Sequence, residues 1–281
     1  MSDLGLLSYS LGIEFLFQPT GILLTQRQYI REMLKDAGLE HCKSAPTPML
    51  EKLKLTPDMG ASPADPTQYQ HMVGKLIFLT HTRPDISYAE PHALAVKHLY
   101  RYLQGTADLA LLYRKGEEDK LYGFTDADWA ADLYDRKSTT GFVFFLGKTL
   151  VTWNSRKQPT LALSSTESEY MALTEGAKEA VWLRRLLGEI QVQNLNNSTS
   201  IHGDNQGSIN LAHNPIYHGR TKHIEVRHHF IRERIQSGEI SVDFVPTGEQ
   251  IADILTKALG KTAFVRLRNQ LGLIQIEPQK L

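Results

Sequence analysis

Several protein classes are excluded by what this chain lacks. It has one cysteine, Cys42, in 281 residues, so it can form no internal disulfide. Cys42 also has no Cys or His neighbour at zinc spacing, which fits a reducing compartment and a small apolar side chain near a helix end. No run of eighteen apolar residues occurs, and Met1–Thr20 has no charged, apolar and small-residue leader. Neither a membrane span nor a secretion signal is therefore expected, and the expected location is intracellular, cytoplasmic or nuclear, with no membrane partner. Net charge is also absent, because Lys plus Arg and Asp plus Glu are each 31. Global charge therefore cannot grip nucleic acid, and any such contact must be local. There is no internal repeat, no low-complexity tract and no adjacent pair of aspartates.

What is present is a chain of 41% hydrophobic residues, enough for one large or two modest domains. Leu11–Phe17, the turn Pro19-Thr20-Gly21 and Ile22–Leu24 read as a hairpin. Helices are expected over Gln26–Ala37, stopped by Gly38, over Gln68–Thr80, and over Pro91–Gln104, stopped by Gly105; Pro46–Pro66 reads as loop. Leu109–Tyr113 is strand-like, and a charged turn after it places a domain boundary near residue 115. Beyond it, strands fit Leu121–Ala127, Thr140–Leu146, Thr149–Asn154, Ser200–Gly203 and Ile240–Val245. Helices fit Thr166–Ile190, Asn205–Ala212, His223–Gln236 and Glu249–Leu259. Three strands, a helix, a strand, two helices, a strand and a helix make an α/β order around one mixed sheet.

Four acids sit at element ends in that order: Asp126, Glu169, Asp204 and Asp253. Only a tertiary fold could gather them, and a carboxylate cluster is the hard oxygen donor set that Mg²⁺ or Mn²⁺ takes. Two such ions can activate a water and stabilise a leaving oxygen. Each acid also has a plainer role open to it. Asp204 could cap the helix after it, Asp253 could complement a helix dipole, and Glu169 with Thr166, or Glu167 with Ser164, could close a capping box. Asp126, Asp128 and Asp132 begin like a calcium loop, but Ala130, Ala131 and Lys137 stand where its other key residues belong.

Histidines 213, 218, 223, 228 and 229 show no zinc motif. Ile224, His228, Ile231 and Ile235 share a helical stripe, which reads His228 as packed rather than ligating. Arg220, Lys222 and Arg227, with Arg156 and Lys157 at a strand end, are candidate phosphate contacts, and a solvated basic face is equally open. Trp153 reads as sheet-facing, with a base or sugar contact as the sharper option.

The motifs TDADWA (125–130), RKSTTGF (136–142), SRKQPTLALSSTESEYMA (155–172), GDNQGSI (203–209), RTKHIEVRHHFIRE (220–233) and QIADILTKAL (250–259) resemble, in order, the ribonuclease H end of copia-type retrotransposon polyproteins. The N-terminal motifs SLGIEF (10–15), GILLTQRQYI (21–30), YQHMVGKLIFLTHTRPDISYA (69–89) and AVKHLYRYLQGTADLALLY (95–113) resemble the end of that family's reverse transcriptase. The resemblance implies an α/β fold: a ribonuclease H-like five-stranded mixed sheet with flanking helices over 115–281, with a C-terminal tail. Residues 1–114 would be a truncated α+β reverse-transcriptase region, with Leu11-Gly12-Ile13 where related enzymes hold the primer terminus.

It also implies metal-dependent hydrolysis of the RNA strand of an RNA/DNA hybrid, with two Mg²⁺ or Mn²⁺ ions on Asp126, Glu169, Asp204 and Asp253, and Glu167 as runner-up to Glu169. The partners implied are the hybrid and the missing reverse-transcriptase palm or other Pol products. Three departures from the family stand out. The paired aspartates of a polymerase site are absent, so nucleotide addition is not expected from this chain alone. Pro246-Thr247-Gly248-Glu249 replaces the loop that carries a mobile histidine elsewhere. A helix connection is missing between Ala89 and Glu90. Two alternatives stay open, an inactive nucleic-acid-binding relic and a reverse transcriptase in family label only.

Overall fold

The computed structural model of the chain describes residues 5–51, 66–88, 93–116, 120–132, 134–191, 197–213 and 222–277, excepting the side chains of residues 68, 93, 94 and 222–228. The family's missing connection at Ala89 and Glu90, and Arg220, lie outside the described residues. Two compact units emerge, one from Met1–Gly116 with Ala258–Leu281, the other from Glu117–Lys257. The first change of unit falls between Gly116 and Glu117. The segment after Lys257, expected as a tail of the second domain, instead joins the first unit.

In unit 1, strands β1 (Tyr9–Ser10), β2 (Ile13–Gln18), β3 (Gly21–Thr25) and β4 (Leu109–Arg114) precede a late strand, which enters at Leu273–Gln275. Their spatial order is β1-β2-β3-β4 and then this late strand, every pair antiparallel. Strand β4 can pair closely with the start of β3 because Gly21 has no side chain, since a Cβ there would lie 2.0 Å from the Tyr113 carbonyl oxygen. Helices α1 (Arg27–Asp36), α2 (Pro66–Leu79) and α3 (Ala93–Gly105) connect the strands. Helix α1 buries Ile30, Met33 and Leu34, the stripe its periodicity predicts. At the turn into β2, exposed Leu11 is held at φ 49° beside Gly12 at φ 77°, a strained backbone for a non-glycine residue.

The polar centre of unit 1 is a connected network. Arg83, buried in a 3₁₀ turn's approach, grips Asp85 through two bonds of 2.9 and 2.8 Å. Its remaining donors reach the Thr106 carbonyl and hydroxyl at 3.0 and 2.9 Å. The Tyr102 hydroxyl donates to Asp85, and Arg268 donates to that hydroxyl at 3.3 Å. Burial opposes both charges, but each overrides it for the other: the guanidinium holds the Asp85 carboxyl below its ordinary value, and Asp85 raises that of Arg83.

Unit 2 holds β5 (Leu121–Asp128), β6 (Thr139–Leu146), β7 (Thr149–Lys157), β8 (Thr199–Gly203) and β9 (Ile240–Phe244), in the order β7-β6-β5-β8-β9. The first three pair antiparallel, and β8 and β9 add in parallel. Helices α4 (Ser165–Glu189), α5 (Gln206–His213) and α6 (Lys222–Gln236) make the crossovers that parallel strands require. Helix α4 lies close on β5 because Gly176 faces Thr125, and a Cβ at Gly176 would stand 2.3 Å from the Thr125 methyl. Leu173, Ala177, Ala180 and Leu183 pack with Phe142, Phe144 and Ile201; each large side chain fully buried there contributes roughly 1.5–3 kcal/mol. Ile231 of α6 is fully buried, Ile235 packs on the same core, and the His228 and Ile224 side chains lie outside the described residues.

Near the end of unit 2 the chain departs from its expected course. Glu249–Leu259 is not an α-helix but two 3₁₀ turns, Thr247–Glu249 and Ile251–Leu255. Gln250 lies between them, extended and fully buried; its side chain accepts from the Ala252 amide at 3.2 Å and donates to the Thr125 carbonyl at 3.0 Å. This cross-link to the sheet starts a short new turn instead of continuing a helix. The helix that does form, α7 (Lys261–Gln270), follows Gly260 and leads into β10, the late strand Leu273–Gln275. Its buried Phe264 and Leu267, followed by Leu271, were a legible i, i+3, i+7 signal.

Candidate active site

The parallel register of β5 and β8 pairs Phe124 with His202. Two residues further on, at the carboxyl ends of these neighbouring strands, the same register sets Asp126 beside Asp204. Helix α4 begins nearby with Ser164 as N-cap; the Ser164 hydroxyl accepts from the Glu167 amide at 3.1 Å, and Glu167 accepts from the Leu163 amide at 2.8 Å. Glu167 is therefore engaged in capping. One half-turn on, Glu169 is turned inward and accepts from the Ala127 amide at 3.2 Å. Carboxylate oxygens of Asp126, Glu169 and Asp204 lie within 4.8 Å of one another.

Asp253 comes from the 3₁₀ turn Ile251–Leu255, which packs over β6 only because Gly141 has no side chain. A Cβ there would lie 2.7 Å from the Thr256 methyl and 2.9 Å from the Leu255 Cβ. The same turn delivers Thr256, whose hydroxyl donates to Asp126 Oδ2, and Lys257, whose Nζ lies 3.2 Å from Asp126 Oδ1 and 2.7 Å from Asp253 Oδ1. Ser155 donates to the Leu255 carbonyl at 2.7 Å, and buried Gln158 joins Thr140 to the Ser168 carbonyl, bracing the turn and the α4 entry against the sheet.

The electrostatics are those of a site short of positive charge. Burial and then repulsion from Asp126 and Asp204 push the Glu169 carboxyl up to about 10. Burial and Asp126 push Asp253 up to about 6. Asp126, with no exposed surface, is raised by burial against the opposing pull of Lys257 and Thr256. Three crowded carboxylates with hard oxygens and too little counter-charge fit a divalent cation, which would lower all of these values.

The remaining acids and bases have other partners. Asp128 accepts from the Thr139 amide and Asp132 from the Tyr134 and Asp135 amides, so both serve the β5–β6 connection. Asn205, not Asp204, caps α5, accepting from the Ser208 amide at 2.9 Å. Arg156 pairs with Glu175, and Lys157 with Asp132. Lys222 and Arg227 lie on α6, their side chains outside the described residues. Half-buried Trp153 sits opposite Val143 in the sheet, and His213 contacts the Val242 carbonyl. Thr256, Lys257, Gln250 and Gly141 join the site without having been singled out in the sequence, although all four stand inside the family-like motifs.

The strand order, with two parallel strands added to an antiparallel three and a crossover helix between, defines a ribonuclease H-like fold. No family model matches the chain. It is 39% identical over 284 aligned residues to the retrovirus-related Pol polyprotein from transposon RE1 of Arabidopsis thaliana, covering 97% of this chain and 19% of that protein. To the corresponding polyprotein from transposon TNT 1-94 of Nicotiana tabacum it is 35% identical, covering 97% and 22%. The chain belongs to the retrovirus-related Pol polyproteins of copia-type transposons and spans about one fifth of the length of these relatives. Among solved structures, RNase H1 of Halobacterium salinarum overlaps 49% of this chain and 94% of its own at 15% identity and a TM-score of 0.35. Among the described residues, no helix is long and apolar enough to cross a membrane.

Proposed function

We propose that unit 2 is the ribonuclease H part of a copia-type reverse transcriptase and hydrolyses the RNA strand of an RNA/DNA hybrid. The observation that carries this reading is the meeting of Asp126, Glu169 and Asp204 oxygens within 4.8 Å at the carboxyl ends of β5 and β8, with Asp253 one lysine away. Those four residues would hold two Mg²⁺ or Mn²⁺ ions, which when bound supply an activated water and charge stabilisation at the leaving oxygen. The chain's own part is to fix the ligands before substrate arrives. Gln250, Ser155 and Gln158 lock the turn and helix that carry them, and the Glu169 carboxyl, held up by burial and its acidic neighbours, would ionise to serve as a ligand. In the reaction the oxygen of water bonds to phosphorus, the bond to the 3′ oxygen breaks, and a proton ends on that oxygen. Arg156, Lys157, Arg220, Lys222 and Arg227 are the proposed phosphate contacts, the first two by exchanging the carboxylates they now hold.

Residues 1–114 are proposed to be the end of the reverse transcriptase, whose palm, with other Pol products, would be a partner. A labelled RNA/DNA hybrid incubated with the full chain and Mg²⁺ tests the assignment. Cleavage of the RNA strand, lost in Asp126→Asn while hybrid binding persists, is the expected result. No cleavage by the wild-type chain in Mg²⁺ or Mn²⁺ leaves the relic reading in its place.

A further inference from the structure

The two sides of Asp126 are not alike. Toward Glu169 and Asp204 it faces other carboxylates, and the three offer oxygens within 4.8 Å. Toward Asp253 it faces an ammonium, because Lys257 Nζ sits 3.2 Å from Asp126 Oδ1 and 2.7 Å from Asp253 Oδ1. Thr256 holds the other Asp126 oxygen, so the Asp253-Ile-Leu-Thr-Lys257 turn occupies both oxygens of the central ligand from one direction. The turn spaces Asp253 and Lys257 four residues apart, and the lysine reaches back over its own acid. The Lys257 side chain remains 35% exposed while Asp126 is fully buried, so the ammonium can swing into solvent but the carboxylate cannot follow it.

We propose that Lys257 is a positioning residue, a tethered cation that fills the gap between Asp126 and Asp253 until a divalent ion displaces it. The proposal rests on the metal-dependent nuclease reading above and extends it: the chain should load its two ions unequally. On the Asp126–Glu169–Asp204 side the first ion meets carboxylates and the neutral Thr256 hydroxyl rather than an ammonium. On the Asp126–Asp253 side an ion must first break two charge-assisted contacts and turn the ammonium outward, so binding there is weaker by the free energy of that exchange. Before loading, the same lysine offsets part of the carboxylate repulsion, which holds the metal-free turn against the sheet.

The test is titration of the full chain with Mn²⁺ alone, by calorimetry and by melting temperature, in wild type, Lys257→Met and Lys257→Arg. Methionine keeps the length of the stem and removes the charge; arginine keeps the charge. Wild type and Lys257→Arg should show one tighter and one weaker ion. Lys257→Met should tighten the weaker ion by roughly tenfold, with a lower metal-free melting temperature and a larger metal-induced rise. Should Lys257→Met unfold without metal, refolding on addition of Mn²⁺ at a concentration below the wild type's weaker transition supports the same conclusion. Unchanged or weakened Mn²⁺ binding in Lys257→Met overturns the role of Lys257 and leaves the nuclease reading standing. An absence of any Mn²⁺ binding in wild type overturns both.

Discussion

Unit 1 buries Arg83 and Asp85 as a matched pair, with every contact aimed at a partner, whereas unit 2 buries Asp126 and Glu169 against Asp204 with Lys257 as their nearest counter-charge. The first arrangement is complete within the chain. It ties the Pro84–Ile86 turn, α3 and α7 together. The second gathers three carboxylates around less counter-charge. Buried charge therefore separates a structural centre from a candidate reactive one within a single chain.

The largest expected effect comes from unbalancing the matched pair. Arg83→Met leaves Asp85 buried without its bidentate cation, keeping only the Tyr102 hydroxyl, and should cost about 3–5 kcal/mol of unfolding free energy in denaturant titration. Mg²⁺ or Mn²⁺ should not restore it, and recovery with metal would mean that the two centres are not independent. Next is Glu169→Gln. From the ordinary carboxyl value up to about 10, the folded metal-free chain holds one more proton than the unfolded chain at this residue. Stability therefore falls as pH rises through that window, by up to about 1.4 kcal/mol per pH unit. Asp253, raised to about 6, adds a second fall at lower pH. Glu169→Gln removes the first fall, so without metal it should exceed wild type at pH 7 by roughly 1–3 kcal/mol, and the two should converge below the ordinary carboxyl value. Millimolar Mg²⁺ or Mn²⁺ should flatten the wild-type dependence, and Asp204→Asn should remove most of that metal response. A metal-free wild type whose melting temperature is flat from about pH 5 to 8 would sink this account of unit 2.

Gly141→Ala should cost about 1–3 kcal/mol by pushing against Thr256 and Leu255, and it should weaken Mn²⁺ binding because the displaced turn carries Asp253. The smallest effect belongs to Ser164→Ala. Loss of this cap should cost about 1 kcal/mol and, with Glu167 spending its charge on capping, leave the metal response intact. If Ser164→Ala or Glu167→Gln abolished the metal response, Glu167 rather than Glu169 would be the helix's metal ligand.

Much of the fold could be read from the sequence because unit 2 follows strong local rules. The strands Leu121–Asp128 and Thr139–Leu146 and the helix Ser165–Glu189 lie within one or two residues of their expected limits. The ordered motifs also pointed to the family and to the acids. The stretch around Asp253 reads as a helix because of its apolar spacing, while the buried Gln250 that redirects the backbone acts through Thr125, distant in sequence. Lys257 is illegible for a related reason: its contacts are with Asp126, and nothing local distinguishes it from a solvated lysine at a helix end. Residues 261–275 read as a tail because β10 is short and finds its partner, β4, across the whole sequence of unit 2.

That last pairing governs the order in which the molecule can be completed. Leu273–Gln275 hydrogen-bonds to Leu109–Leu111, so during synthesis β4 waits with one bare edge while the entire intervening unit is made. A stop codon just after Lys257 would leave every strand of unit 2 in place yet strip unit 1 of the strand that covers β4 and of Arg268. The lesion would surface as aggregation through an open sheet edge, far in sequence from the strand that caused it.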